Sequence, residues 1–80
     1  MRHEYTMPKL GHLMEEGFVS EWKKKVGERI EKNEILLLVE TDKAVVEVEA
    51  PFSGKIQEII VQEGEEVPVH ALLAIIDIDE

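Results

Sequence analysis

Eighty residues set the scale of one small domain, near the lower end of what a single hydrophobic core stabilises without staples. There is no cysteine, which excludes a disulfide framework and thiolate metal sites and fits a reducing compartment. A formal net charge of −9 argues against nucleic acid, whose phosphates such a surface repels, and favours partners with basic surfaces; the alternative is that the acids keep a small β domain from pairing edge to edge.

Six segments have the composition of strands: Glu4 to Leu10, Phe18 to Lys23, Ile35 to Thr41, Ala44 to Glu49, Lys55 to Val61 and Leu72 to Ile78. Near the start, Met1 to Leu13 lacks the apolar block of a signal peptide, and nothing along the chain approaches a membrane-spanning length. Trp22 closes the second segment. Lys23, Lys24 and Lys25 follow it and would point to alternate faces if extended, which makes them a solvated strand end rather than an anion site. Gly27-Glu28 has the character of a tight turn at positive φ, a conformation glycine enters without a Cβ penalty. The continuous apolar runs Ile35 to Val39 and Leu72 to Ile76 are predicted to be buried on both sides, whereas the period-2 pattern from Val45 to Glu49 sends Glu47 and Glu49 to one face. Pro8, Pro51 and Pro68 shorten every window in which a helix could run. With four aromatic residues, the core must be built from Val, Ile and Leu. The three histidines share no ligand spacing, so no metal site is expected.

The two halves of the chain repeat one another. A shift of 37 positions lays Gly17 on Gly54, Glu21 on Glu58, Gly27 on Gly64, Glu28 on Glu65, Leu36 on Leu73 and Asp42 on Asp79 without a gap. A repeated unit that cannot close its own core packs against its twin, which predicts one domain with a quasi-twofold axis. Trp22 falls on Ile59, so that position reads as core. The hairpin around Asp42-Lys43 has the C-terminus as its image, and the two should therefore lie at opposite ends of the domain.

Lys43 occupies the join between the halves. A two-residue hairpin loop chosen for stability alone would carry Asp-Gly or Asn-Gly, so a lysine there points to a use for the side chain; the alternative is an ordinary exposed lysine on a four-residue turn. Glu40, Asp42, Glu47 and Glu49 are its sequence neighbours and favour the ammonium form, which argues against catalysis by the free amine. Acceptance of a covalent group is the better match for an exposed amine on a rigid turn.

The sequence Glu40-Thr41-Asp42-Lys43-Ala44, then Glu47, then Ala50-Pro51-Phe52-Ser53-Gly54-Lys55-Ile56 resembles the lipoyl domain of the dihydrolipoyl acyltransferases of 2-oxo acid dehydrogenase complexes. Met7-Pro8-Lys9-Leu10-Gly11, Met14-Glu15-Glu16-Gly17 and Gly27-Glu28 extend the likeness, which runs from about Tyr5 to Ile78. The resemblance implies an all-β flattened barrel of two four-stranded antiparallel sheets, with lipoic acid in amide linkage to Lys43 on an exposed type I turn. Glu40, Thr41, Asp42 and Ala44 would then form the turn read by the lipoyl-protein ligase. His12, Leu13, Met14 and Glu15 would form the loop read by partner enzymes, with Leu13 where a Thr is common in the family. The implied partners are a thiamine-diphosphate decarboxylase, an acyltransferase core that passes the acyl group to coenzyme A, and dihydrolipoyl dehydrogenase. Biotin carrier domains share the repeat and the Ala-Pro-x-x-Gly segment but usually flank their lysine with methionines. Asp42 and Ala44 stand there instead. A barrel that carries no group and only binds protein partners is the further alternative. On this reading residues 1–80 are one carrier domain cut from a larger subunit, monomeric alone, not itself an enzyme, cytoplasmic or in the mitochondrial matrix, and nearer to the pyruvate and acetoin types in its Met-Pro-Lys-Leu-Gly opening.

Overall fold

Strand-forming composition and the absence of any helical stripe carry through to the three-dimensional structure. The computed structural model describes residues 1–11 and 14–79, and every regular element among them is a strand. In chain order these are β1 (Arg2–Thr6), β2 (Glu16–Trp22), β3 (Arg29–Ile30), β4 (Ile35–Glu40), β5 (Val45–Glu49), β6 (Gly54–Ile59), β7 (Glu66–Pro68) and β8 (Leu72–Ile78). They form two four-stranded antiparallel sheets, ordered β1-β8-β6-β3 and β5-β4-β2-β7. The two apolar runs become the central strands β4 and β8, where Leu36, Leu37, Val39 and Leu73 through Ile76 are buried. Edge strand β5 alternates as read, with Glu47 and Glu49 exposed and Val48 buried.

The repeat is geometric as well as sequential. In β2 and β4, Phe18 pairs Glu40 and Val19 pairs Val39; in β6 and β8, Lys55 pairs Asp77 and Ile56 pairs Ile76. A bulge between Val19 and Glu21 recurs between Ile56 and Glu58. Gly27 and Gly64 have φ of 92° and 91°, and each donates its N–H at 2.8 Å to a carbonyl of the opposite half, Ile56 and Val19 respectively. The glutamates that follow them cap the same turns: Glu28 Oε1 accepts Lys25 N–H at 2.7 Å, and Glu65 Oε2 accepts Gln62 N–H at 2.6 Å. A second symmetry-related pair at positive φ, Asn33 at 74° and His70 at 77°, shares no residue identity. Here the backbone repeats where the side chains do not.

Aliphatic side chains from both sheets build the core, with Met7, Val19, Ile30, Leu36, Leu37, Val39, Ile56, Leu73 and Ile76 fully buried. Trp22 is half-buried against this cluster, and its indole N–H donates to Val61 O at 2.9 Å. Gly54 is required by close approach: a Cβ there would fall inside van der Waals contact of Asp77 O and 2.8 Å from Ile78 Cα.

Three sequence readings change. The first strand ends at Thr6 rather than Leu10, because Met7 leaves the ladder to donate to Ala71 O at 2.8 Å and Pro8 has no N–H to continue it. The two-residue β3 and three-residue β7 were not among the six segments, being too short for any periodicity to register. Lysine carries no conformational penalty in the hairpin, since neither Asp42 nor Lys43 has positive φ.

Chain direction places the ends. β5 leads away from the Lys43 turn to Ala50–Ser53, where Ser53 O accepts Asp79 N–H at 2.9 Å and the Phe52 ring meets His3 edge-on at 4.7 Å. The Met1 ammonium donates at 2.8 Å both to Asp77 Oδ1 and to Ile78 O. Both chain ends therefore sit at the pole opposite Lys43. At that pole Arg29 forks onto Asp79 and also reaches Glu31 Oε2 at 2.8 Å; the Asp79 hydrogen bond holds the guanidinium pKa up and its own carboxyl below the usual carboxylate range.

Candidate functional site: the Lys43 turn and the cleft beside it

The β4–β5 ladder closes at the Glu40–Val45 pair and leaves Thr41, Asp42, Lys43 and Ala44 to turn the chain. Thr41 holds the turn with backbone and side chain together. Its N–H donates to Ala44 O at 2.8 Å, and its Oγ1 donates to the same oxygen at 3.0 Å while accepting Ala44 N–H at 3.2 Å. Lys43 N–H points at the same hydroxyl from 3.4 Å. A side-chain oxygen thus takes the place of the backbone carbonyl that commonly accepts in a β-turn. The glycine expected in a two-residue loop is not needed, because a four-residue loop closes with ordinary negative φ at its centre.

Lys43 is exposed, and its Nζ is in no ion pair with a described residue, a state it shares with Lys9, Lys25, Lys32 and Lys55, whereas Lys23 pairs Glu21 at 3.3 Å and Lys24 pairs Glu34 at 3.1 Å. The Glu34 carboxyl also accepts Glu31 N–H, and these contacts lower its pKa. A free ammonium on a turn fixed by its own hydrogen bonds can be acylated without disturbing any partner, so the residues present fit an amide-linked group.

Beside the turn lies a cleft of about 600 Å³ lined by Met14, Glu15, Glu16, Phe18, Glu40, Thr41, Asp42 and Glu66. The structure therefore brings together five of the residues singled out from sequence: Glu40, Thr41 and Asp42 from the turn, Met14 and Glu15 from the loop. Ala44 is exposed within the turn, and His12 and Leu13 lie outside the described residues. Glu16, Phe18 and Glu66 were missed. Their only signal was strand register, since Phe18 pairs Glu40 on one side and Glu66 on the other, and Glu66 belongs to a strand the sequence did not reveal. Among the described residues no group of His, Cys, Asp or Glu is arranged to hold a metal ion.

The structure thus combines two halves of matching backbone, an exposed lysine on the hairpin of one of them, and Met1 and Asp79 at the far pole. The family described as biotin-requiring enzymes, the biotin/lipoyl family, matches residues 3–76, and the chain belongs to it. The chain is similar to the lipoyl domain of the 2-oxoglutarate dehydrogenase complex of Azotobacter vinelandii, solved in solution, with 35% identity and a TM-score of 0.76 over 92% of this chain and 94% of that one. It shares 47% identity over 68 residues with the dihydrolipoyllysine-residue acetyltransferase component of the acetoin cleaving system of Bacillus subtilis, covering 85% of this chain. Against the succinyltransferase component of the 2-oxoglutarate dehydrogenase complex of Bartonella vinsonii the figures are 44% over 77 residues and 96%. Within the family, then, it is a lipoyl domain: a carrier rather than a catalyst. It spans 17% and 19% of the length of those two relatives.

Proposed function

We propose that Lys43 carries lipoic acid in amide linkage and that the domain moves acyl groups between the active sites of a 2-oxo acid dehydrogenase complex. The observation that carries this reading is the exposed, unpaired Lys43 ammonium on a turn locked by Thr41. When attached, the dithiolane supplies acyl carriage as a thioester together with reversible disulfide chemistry. The protein's contribution is positional. The Thr41 hydroxyl fixes the direction in which Lys43 leaves the surface, and the cleft beside it offers a face for the enzymes that act there. The partners inferred are a thiamine-diphosphate decarboxylase that loads the arm, an acyltransferase core that unloads it to coenzyme A, dihydrolipoyl dehydrogenase, and the ligase that forms the amide. Attachment to a larger subunit would convert each visit into a near-intramolecular event, at effective concentrations on the order of millimolar for a flexible linker.

The acyl group we assign is acetyl. Two acetoin-cleaving components, from Bacillus subtilis and Pseudomonas putida, each share 47% identity with the chain. Succinyl is the second reading, supported by the 44% match to the Bartonella component and by the Azotobacter structure. Reductive acylation with the thiamine-diphosphate enzymes that cleave acetoin and that decarboxylate pyruvate and 2-oxoglutarate separates them.

Intact mass after co-expression with a lipoyl ligase and lipoate tests the attachment. The wild type should gain one lipoyl group. Lys43→Arg should gain none while unfolding within about 0.5 kcal/mol of the wild type, as a surface change away from packed features does. A lipoyl group on any other lysine of the variant overturns the assignment, and one biotin per chain in place of lipoyl would move the cargo to the other branch of the family.

A further inference from the structure

The end of the outer sheet face beside Lys43 carries a row of four directly paired residues, one from each strand of its sheet: Val45, Glu40, Phe18 and Glu66. In an antiparallel sheet, directly opposite residues share a face, so the Phe18 ring lies between two carboxylates. Those carboxylates are two strands apart, roughly 9–10 Å at the usual strand spacing. Phe18 is only half-buried and stands outside the core cluster; Glu40 and Glu66 are exposed and make no ion pair with a described residue. Val45 at the end of the row is 54% exposed.

The quasi-dyad supplies a control for what the fold itself demands here. The twin row, at the pole of the chain ends, is Arg2, Asp77, Lys55 and Arg29 in the same register. Arg29 stands where Glu66 stands, and Lys55 where Phe18 stands. At that pole the carboxylates of Asp77 and Asp79 are matched by the Met1 ammonium and by Arg29. At the Lys43 pole the same backbone carries carboxylates around an aromatic ring, and neither Glu40 nor Glu66 is in an ion pair with a described residue. Balanced charge is open to this scaffold at that position, so unpaired carboxylates there are not a requirement of folding.

We infer that the Val45–Glu40–Phe18–Glu66 row receives an arginine side chain from the enzyme surface that closes over Lys43. A guanidinium stacks flat on an aromatic ring and offers donors along its edges, which suits a ring with a carboxylate on either side. A lysine ammonium is a point charge and would gain less from the ring. Because Phe18, Glu40, Thr41 and Asp42 line one cleft, a protein that reaches Lys43 also meets the row. The inference rests on Lys43 being the working end of the domain, but its test does not use the modification.

The experiment is a chemical-shift titration of the unmodified, isotope-labelled protein with hexa-arginine and, separately, hexalysine peptides. Shifts should concentrate at Phe18, Glu40, Val45 and Glu66 and not at Glu21 or Glu58. Hexa-arginine should bind about two- to fivefold more tightly than hexalysine, the range expected of an exposed cation–π contact. Phe18→Leu should erase that preference, and Glu66→Arg, which places at this pole the charge of its twin, should abolish the local shifts; Glu66→Gln is the gentler variant if the reversal perturbs folding. Equal affinity for the two peptides, or shifts spread over all the acids, overturns the inference. Concentration-dependent shifts linking this row to Arg2, Lys55 and Arg29 without peptide also overturn it, in favour of a second copy of the chain as the occupant. Failure here with intact lipoylation at Lys43 would remove the arginine site and leave the carrier function standing.

Discussion

Thr41 is the residue on which the geometry of the site turns. Its hydroxyl both donates and accepts within four residues, and neither Asp42 nor Lys43 uses its side chain to hold the loop. Thr41→Val keeps the shape and removes the hydrogen bonds. We expect a loss of about 1 kcal/mol in urea unfolding, the usual net worth of such a bond, and slower lipoylation of Lys43 because the amine is no longer held in one direction. An unchanged lipoylation rate with that same stability loss would show that the ligase reads the sequence of the turn rather than its geometry. Tyr5 makes a separate residue-scale prediction. Burial raises its phenol pKa from 10.0 to about 12. The folded chain therefore holds the phenolic proton more tightly than the unfolded chain, and stability is full below pH 10 and falls between pH 10 and 12. Tyr5→Phe should flatten that alkaline limb in a series of urea melts across the range.

Among the elements, the paired turns are the part of the fold most legible in sequence. Gly27 and Gly64 announced themselves by identity and spacing, and both stand at positive φ with nothing within 4 Å of where a Cβ would be. Their cost to alanine is therefore conformational rather than steric. Each single variant should lose about 1 kcal/mol, and the double variant measures any coupling between the turns, since Val26 and Glu63 beside the two glycines line one cleft. Denaturation of the two singles and the double checks this, and a large loss at only one site would break the inferred equivalence. Asn33 and His70 show the limit of such reading. They are backbone twins of two residue types that both enter the left-handed region more readily than most, but with no shared identity to mark the pair in the repeat. β3 and β7 were hidden for a related reason: two or three residues held by register to a neighbour carry no period of their own. The cleft was half legible. Met14, Glu15 and the turn stood out as sequence motifs, whereas Glu16, Phe18 and Glu66 meet only once β2 is laid between β4 and β7.

For the whole molecule, charge is arranged by pole. At the end that carries Lys43, Glu40 and Glu66 are in no ion pair with a described residue, and the opposite end is tied by the Met1–Asp77 and Arg29–Asp79 pairs. Asp79 has its pKa lowered by Arg29, so the stability it contributes is present above the ordinary aspartate pKa and is lost as pH falls through the depressed folded value. Arg29→Gln removes that dependence. Thermal melts from neutral pH into the acid range should show the variant losing less stability than the wild type over the lowest part of the series. Parallel curves would mean that the pair is too solvated to matter, as exposed pairs often are.

The adjacency of the two chain ends also has a mechanical side. Arg2 pairs Asp77, so β1 and β8 begin and finish side by side as antiparallel neighbours. A force that pulled the ends apart would load the hydrogen bonds of this ladder one after another from that end, peeling it like a zipper, whereas shear would strain many bonds together. The sheet is thus built to yield under tension between its ends. Tension applied at one end alone leaves that ladder unloaded, and only a pull on both ends would open it.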